Sequence, residues 1–374
     1  MNGPTMIEPG KAAGASPFHA GELAVQRRAG VAEHADVAGR IGIRGFMPEQ
    51  HRTFFAQLPW FIVGGVDAGG QPWATLRAGE PGFVAAPDPV TLRVAGGALR
   101  DDPLADAWRP GAPFGGLGIE LPTRRRNRVN GTVAALDGAV LSVAVTQSFG
   151  NCPKYIQRRA PEPVAPAWPA VPLRRASALD EADRALIARA DTFFVASANL
   201  DPDAHHARGV DVSHRGGLPG FVRVDDARTL TVPDYSGNRY FNTLGNFVSN
   251  PRAGLLFVDF ESGDLLYVAA RAEIVWDGPD LAAFEGAQRL VRFRLSEVRR
   301  SEAALPFRWS AAEYAPQFTR AGAGGAGGGA QGAGPGQRTG AGGDDGSERA
   351  ARRGDQAAPL AALATATRVC LPPR

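Results

Sequence analysis

The chain has 374 residues, 44% of them hydrophobic, with 41 Lys and Arg against 38 Asp and Glu. A formal charge of +3 is close to neutral for this length, and the acidic and basic residues are interspersed, so the composition does not indicate a nucleic-acid-binding protein. Two cysteines, Cys152 and Cys370, are too few for a zinc cluster, an iron–sulfur centre or a disulfide scaffold, and we expect no metal site.

The length predicts about two domains of roughly 150 residues each. No window approaches about 20 uninterrupted apolar residues, so no membrane-spanning helix is expected. The N-terminus also lacks the apolar stretch and cleavage site of a signal peptide. We therefore expect a cytoplasmic bacterial protein that binds neither membranes nor nucleic acid.

Residues 1–40 begin with a Gly-, Ala- and Pro-rich stretch and are predicted to form an N-terminal arm. The first ordered body is predicted at 41–158. It opens with a short helix that begins near Pro48 and continues into a strand at 60–66. Further strands are predicted from Trp73 and at 82–85, 90–94, 117–121, 128–136 and 140–147.

Residues 159–172 contain five prolines in 14 residues, which predicts an extended linker. A second body is predicted at 173–318, opening with an amphipathic helix at 178–187 and a strand at 192–198. Its other predicted strands are 220–224, 229–232, 253–260, 265–275 and 290–295. In the tail, 319–374, 13 of the 26 residues from 321 to 346 are glycine, which predicts disorder.

The two bodies repeat one another in order. Pro-Gly-Phe-Val occurs at 81–84 and again at 219–222, and in both bodies a Thr-Leu-x-Val segment begins ten residues after the Pro. A helix followed by a strand opens each body. This repetition predicts an internal duplication built from antiparallel barrels.

The segment 233–246 has the residue types of a phosphate site. Apolar residues at helical spacing predict a helix that begins near Asn238. Its first turn would offer Ser236, Asn238 and Arg239, and a helix N-terminus with a nearby arginine suits an anionic phosphate. The alternative is ordinary helix capping beside a polar loop. A second polar cluster, 211–216, lies upstream where a strand is expected to end.

Three segments of the second body match a known sequence pattern: DVSHRGG from Asp211, PDYSGNR from Pro233 and NPRAGLLFVDF from Asn250. They resemble the pyridoxamine 5′-phosphate oxidase-like, FMN-binding split-barrel proteins, and among these the generic bacterial members. The resemblance implies a mainly β (α+β) fold: two tandem FMN-binding split β-barrels with short helices. His214 departs from the pattern, because proline is common at that position.

The resemblance also implies roles for individual residues of the second body. Ser213 and Arg215 would lie at the flavin phosphate or ring edge, and Asn238 and Arg239 would hold the phosphate. From the helix, Asn242 and Thr243 would face the cofactor.

The first body carries a different part of the same pattern. It has Arg128-Val-Asn130-Gly and Cys152-Pro-Lys154, which the second body lacks. Conversely, its counterpart of the phosphate loop, 96–108, contains three aspartates that would repel a phosphate. We therefore expect an internal pseudo-dimer with one FMN site, to which Arg128, Asn130 and Lys154 contribute. A further homodimer is left open.

These features favour an FMN-dependent oxidoreductase that uses a small-molecule redox substrate or an electron donor such as NAD(P)H. Two alternatives remain: a flavin-binding carrier or redox partner without turnover, and a split barrel that binds haem or a deazaflavin. No residue identifies the substrate, and no catalytic residue is assigned. His214 is a candidate proton donor near the ring, with a hydrogen-bonded loop histidine as the alternative.

Overall fold

The computed structural model describes residues 16–164 and 173–319. The start of the predicted arm, residues 165–172 of the predicted linker and the predicted tail from residue 320 lie outside the described residues. Within the described ranges no helix is long and apolar enough to cross a membrane.

Short helices flank two large sheets. The helices are α1 (Ala20–Arg28), α2 (Ala32–Gly42), α3 (Glu49–Ala56), α4 (Glu181–Arg189), α5 (Asn242–Ser249) and α6 (Pro316–Thr319). The strands of the first body are β1 (Trp60–Val66), β2 (Pro72–Ala78), β3 (Val84–Asp88), β4 (Thr91–Val94), β5 (Pro113–Glu120), β6 (Arg125–Asp137) and β7 (Val140–Asn151). Two short strands, β8 (Pro161–Pro163) and β9 (Arg174–Ala176), come next. The remaining strands are β10 (Thr192–Asn199), β11 (Gly209–Gly216), β12 (Arg223–Asp226), β13 (Thr229–Asp234), β14 (Arg252–Val258), β15 (Leu265–Val275), β16 (Arg289–Ser301) and β17 (Phe307–Trp309).

The two sheets have the same topology. The first runs β2-β1-β5-β6-β7-β4-β3 and the second β11-β10-β14-β15-β16-β13-β12, so β1 to β7 correspond in order to β10 to β16. All of these neighbouring strands pair antiparallel. The fold is therefore the predicted pair of tandem split barrels, mainly β with short helices.

A shared β-bulge aligns the two barrels residue by residue. The β6–β7 register shifts after Asn130 and the β15–β16 register shifts after Ala269. At each bulge a hydroxyl donates to the backbone: Thr146 Oγ1 to the Asn130 carbonyl (3.3 Å) and Ser296 Oγ to the Ala269 carbonyl (3.2 Å). With this alignment, Tyr267 is the counterpart of Arg128.

Each barrel has its own core, and a third core joins the two. Phe61 of β1 packs inside the first barrel and Phe193 of β10 inside the second. Their chain neighbours Trp60 and Phe194 belong to one shared cluster between the barrels. Because successive strand residues point to opposite faces, β1 and β10 bury both faces and appear as continuous apolar runs.

The contact between the barrels is pseudo-symmetric. A Cβ at Gly115 of β5 would overlap the backbone of Val210 on β11, and one at Gly254 of β14 would overlap the backbone of Pro72 on β2. In the bulge alignment Gly115 corresponds to Gly254 and Val210 to Pro72. The edge strand of each barrel therefore lies against the sheet of the other, and glycine permits the close approach.

The region predicted as an arm at 1–40 contains helices that the sequence analysis did not predict. In α1 the ring of His19 accepts from the Gly21 N–H (3.1 Å), and the Glu22 carboxyl accepts from the His19 N–H (2.9 Å), which is a capping box. Because α1 packs on α5, more than 200 residues away, local sequence does not reveal its docking.

Two other predictions are corrected. Residues 211–216, predicted as a polar cluster where a strand ends, make up most of β11 itself, which ends at Gly216. The predicted linker at 159–172 is paired in its first part, since β8 forms a two-stranded ladder with β17. Pro161 and Pro163 of β8 suit the extended backbone of that ladder but supply no N–H donor to it.

Candidate functional site

An open cleft lies where the two barrels meet. It encloses about 960 Å³ of empty space, a volume that includes the part open to solvent. The first barrel contributes β6 and the segment 151–155. The second contributes β11, the loop after β13 and the start of α5.

The cleft brings together most of the residues singled out from the sequence. Two of them do not line it. Ser236 lies behind Tyr155, whose hydroxyl donates to the Ser236 carbonyl (3.0 Å). Asn130 is buried and donates to the Asp211 carboxylate (2.8 Å). Those that line the cleft are Arg128, Lys154, Ser213, His214, Arg215, Asn238, Arg239, Asn242 and Thr243. That these residues contact a ligand stays a prediction.

Helix α5 begins at Asn242 and not near Asn238 as predicted. Arg239 and Phe241 have φ values of 67° and 61°, which a right-handed helix does not accept, so residues 236–239 form a loop before the helix. No side chain caps α5, and the Gly245 N–H is the first to bond within the helix, to the Phe241 carbonyl (2.7 Å). The earlier N–H groups of α5 are therefore available at the cleft, where they suit an anion.

Arg128 connects the two barrels beneath the cleft. Its side chain is 4% exposed, and Nη1 donates to Asp211 Oδ1 (2.9 Å) and Asn242 Oδ1 (3.1 Å), while Nη2 donates to Ser213 Oγ. Phe149 lies below the guanidinium at 5.3 Å. Because Asp211 balances its charge, Arg128 fixes β6 against β11 and α5.

A buried polar network extends from this point to α1. Asn246 donates to Asp211 Oδ2 (3.0 Å) and contacts the His19 ring nitrogen (2.9 Å). Asn242, beside Arg128, also donates to the Glu22 carboxyl. Helix α1 thus holds the first turn of α5, which carries part of the cleft wall.

Burial changes the protonation of this network. Desolvation, and to a smaller extent the neighbouring Asp211 charge, raise the pKa of Glu22 to about 8, so its carboxyl is protonated at neutral pH. Burial also lowers the pKa of His19, which keeps that ring neutral. The N-terminal helix therefore contributes uncharged hydrogen-bonding groups to the site.

The cationic side chains of the cleft outnumber its carboxylates. Asp234 is the carboxylate among the lining residues, and it accepts from Arg215 (2.6 Å). In the part of the chain that the structure describes, neither Lys154 nor Arg239 has a hydrogen bond or ion pair. The cations that line the cleft are Arg126, Arg128, Lys154, Arg215 and Arg239. The cleft therefore favours an anionic ligand.

Arg126 was not predicted from the sequence. Its acceptors are all uncharged: the Cys152 carbonyl (3.0 Å), the Cys152 Sγ (3.8 Å) and His214 Nδ1 (3.0 Å). Burial, together with the Arg126 and Arg215 charges, lowers the pKa of His214 well below its ordinary value. His214 is therefore neutral, which argues against it as an imidazolium acid.

Three polar atoms buried along the cleft lack a partner among the described residues: Arg128 Nε, Asn151 Nδ2 and His214 Nε2. All three are hydrogen-bond donors, the last because Arg126 occupies Nδ1. Since unpaired buried donors are costly, the cleft suits a ligand rich in acceptors.

The equivalent position on the other side of the pseudo-dimer is blocked. Tyr267 takes the place of Arg128 there, and Trp73 the place of Asp211. The loop after β4 contains no helix like α5 and buries Asp102, whose pKa is raised by desolvation to about 6. The repulsion of a phosphate by the three aspartates of this loop stays a prediction. One of the three, Asp102, lies inside the fold, and apolar and aromatic side chains, among them Trp73 and Tyr267, fill the position.

An aromatic cluster forms one rim of the cleft. The ring centroids of Tyr155 and Tyr235 are 5.2 Å apart, and Phe318 of α6 lies 5.6 Å and 6.0 Å from them. Tyr155 is in a left-handed conformation with φ of 66°. This rim was not predicted from the sequence, although Tyr155 directly follows the Cys-Pro-Lys motif. Nor was Arg126, which lies two residues from Arg128 and so on the same strand face.

Residues 179–311 match the family model described as pyridoxamine 5′-phosphate oxidase. Among solved structures, the chain is similar to HupZ of Group A Streptococcus, with 15% identity, 34% of this chain and 94% of that chain covered, and a TM-score of 0.26. It is also similar to an FMN-binding protein of Syntrophomonas wolfei, with 10% identity, coverage of 32% and 88%, and a TM-score of 0.23. The haem storage protein HutZ of Vibrio cholerae matches with 15% identity, coverage of 30% and 85%, and a TM-score of 0.22. No curated protein matches.

Proposed function

The second barrel, matched over residues 179–311, belongs to the pyridoxamine 5′-phosphate oxidase family, and from this premise we propose that the cleft binds one FMN and that the protein is an FMN-dependent oxidoreductase. The observation that carries the proposal is the unbalanced chemistry of the cleft. Its unpaired groups are cations and hydrogen-bond donors, and FMN is a phosphate ester with an acceptor-rich ring.

The residues fit the two ends of such a ligand. For the phosphate, the chain offers the unpaired side chains of Lys154 and Arg239 and the uncapped N–H groups of α5. For the ring, it offers the unpaired donors of Asn151 and His214. Arg128 is already paired with Asp211, so its charge is not free for the ligand. Its ion pair instead joins the two barrels beneath the ligand.

Bound FMN supplies hydride transfer, and the protein supplies binding, orientation and electrostatics. Tyr155 and Tyr235 of the aromatic rim line one part of the cleft and would offer an apolar surface to a bound ring. The open side leaves space for a second molecule, which we propose is a small redox substrate or an electron donor such as NAD(P)H. No described side chain is assigned as the catalytic acid or base.

Flavin is favoured over haem because of the hydrogen bonding of His214. Ligation of haem iron requires an unprotonated ring nitrogen. In this cleft Arg126 donates to Nδ1, so Nε2 carries the proton and His214 is a donor, not a metal ligand.

A substitution at Arg239 tests the proposal. We expect Arg239→Gln to weaken FMN binding by roughly tenfold to a hundredfold, since hydrogen bonds to charged groups contribute about 1.5–3 kcal/mol. The measurement is quenching of flavin fluorescence on titration with protein. Arg93→Gln is the matched control, because Arg93 is exposed on β4 and lies outside the cleft. Equal affinity of wild type and Arg239→Gln for FMN would contradict the proposed phosphate site.

Titration with riboflavin distinguishes contacts to the phosphate from contacts to the ring. It lacks the phosphate, so we expect Arg239→Gln to leave riboflavin affinity unchanged while lowering FMN affinity. A parallel loss for both ligands would show that Arg239 acts on the fold of the loop and not on the phosphate.

A further inference from the structure

Arg126 and His214 form a contact across the two barrels that determines which nitrogen of the histidine carries a proton. Arg126 Nη1 lies 3.0 Å from His214 Nδ1. A guanidinium has only donors, so Nδ1 must accept, and a neutral ring then carries its proton on Nε2.

The position of the guanidinium is fixed by its other contacts. Nε of Arg126 donates to the Cys152 carbonyl (3.0 Å), and Nη2 donates to the Cys152 Sγ (3.8 Å). Both contacts anchor Arg126 on the first barrel, while His214 belongs to β11 of the second. Ring packing against Phe194, with centroids 5.8 Å apart, holds the imidazole from the other side.

The proton on Nε2 has no partner within the described chain. His214 is 6% exposed, lines the cleft, and its Nε2 is buried without an acceptor. A buried N–H group without a partner has lost its hydrogen bond to water and gained none in the protein, which destabilises the ligand-free state. That destabilisation is removed when a ligand in the cleft presents an acceptor atom to it.

The charged and titratable groups around the ring oppose a second proton. Arg126 of β6 and Arg215 of β11 are both cationic and lower the pKa of His214 in addition to burial. The Cys152 thiol is bound to the same guanidinium. The ring therefore remains a neutral donor through the physiological pH range.

We propose that Arg126 fixes His214 as the Nε2–H tautomer and that His214 donates this hydrogen bond to a carbonyl oxygen or ring nitrogen of the ligand in the cleft. Arg126 is then a positioning residue and His214 a binding residue that selects sp² acceptor atoms. The inference rests on the proposed function in one respect: FMN is the ligand used to test whether His214 donates a hydrogen bond to an acceptor atom in the cleft.

The tautomer is tested without any ligand. Nitrogen-15 NMR of histidine-labelled full-length protein should show His214 as Nε2–H from pH 5.5 to 8. In Arg126→Met, which removes the donor, we expect a mixed tautomer and a ring that titrates, whereas Arg126→Lys, which keeps a donor, should retain Nε2–H. A wild-type ring protonated on Nδ1, or an unchanged tautomer in Arg126→Met, would overturn the assignment.

The hydrogen bond to the ligand is tested by FMN affinity. His214→Phe keeps an aromatic ring but removes the donor, and we expect FMN to bind roughly tenfold to a hundredfold more weakly. His34→Phe, a change at an exposed histidine of α2, is the control, and thermal unfolding verifies that each variant is folded.

The possible results separate this inference from the proposed function. If wild type binds FMN and His214→Phe binds it equally well, the inference is wrong and the proposed function stands. If wild type does not bind FMN, the proposed function is wrong, and so is the assignment of His214 to a flavin acceptor. The NMR result then decides the role of Arg126 by itself.

Discussion

Replacing Glu22 by Gln tests the buried network that joins α1 to the cleft. Glu22 is 3% exposed and accepts hydrogen bonds from the His19 N–H and from Asn242. Burial raises the pKa of its carboxyl from 4.5 to about 8. Gln has nearly the same shape and cannot ionise, so the pH dependence due to this carboxyl is absent from the variant. Its amide nitrogen cannot accept a hydrogen bond, so one of the two hydrogen bonds is lost at every pH, and only the difference in pH dependence reports the charge.

The direction in which stability changes with pH follows from proton binding. Between pH 4.5 and 8 the folded state holds a proton on Glu22 that the unfolded state has lost. The free energy of unfolding therefore falls as pH rises, by up to about 1.4 kcal/mol per pH unit. Between pH 5 and 8 the loss due to this one group is on the order of 3 kcal/mol. The Glu22→Gln variant lacks this contribution.

The assay is urea unfolding followed by tryptophan fluorescence at pH 5 to 8.5. We expect the unfolding free energy of wild type to decrease over this range by on the order of 3 kcal/mol more than that of Glu22→Gln. Other titrating groups, such as Asp102, are present in both proteins and cancel in the difference. Glu33→Gln, at an exposed position of α2, should follow wild type. Identical pH dependence in wild type and Glu22→Gln would refute the protonated state of Glu22.

Three further predictions concern the contact between the barrels and the cleft. Trp60→Ala removes a fully buried ring from the shared core and should lower the free energy of unfolding by about 3–5 kcal/mol, measured by urea unfolding. Asp211→Asn leaves the buried Arg128 charge without its partner, so we expect a loss of about 3–5 kcal/mol together with weaker FMN binding; unchanged stability would argue against the ion pair. Tyr267→Phe removes a buried hydroxyl, near Thr75, that lacks a well-formed hydrogen bond among the described residues, and it should leave both stability and FMN affinity nearly unchanged, because Tyr267 lies at the blocked position.

The sequence predicts the local features of this fold well. The strand predicted at 265–275 has the bounds of β15, and the repeated Pro-Gly-Phe-Val segments precede corresponding strands in the two barrels. These features depend on short-range hydrophobic pattern and turn residues. The resemblance of the second body to a family added the arrangement of the barrels.

Features set by long-range contacts were not predictable in the same way. Helix α1 is stabilised by contacts with α5, and no local pattern indicates that Glu22 and His19 are buried there. The start of α5 was predicted four residues too early, because a left-handed Phe241 has no signal in its residue type. Arg126 was one of 39 arginines, and only the fold shows that it faces His214.

The most direct test of the central claim is the visible absorption spectrum of the purified full-length protein after incubation with FMN and removal of the excess. We expect flavin bands, release of FMN on denaturation, and a stoichiometry of one FMN per chain, since the equivalent position at Tyr267 and Asp102 is blocked. Two flavins per chain would contradict the single site. Absence of retained flavin, or preferential retention of hemin with a Soret band that is lost in His214→Phe, would contradict the assignment of the cleft to FMN.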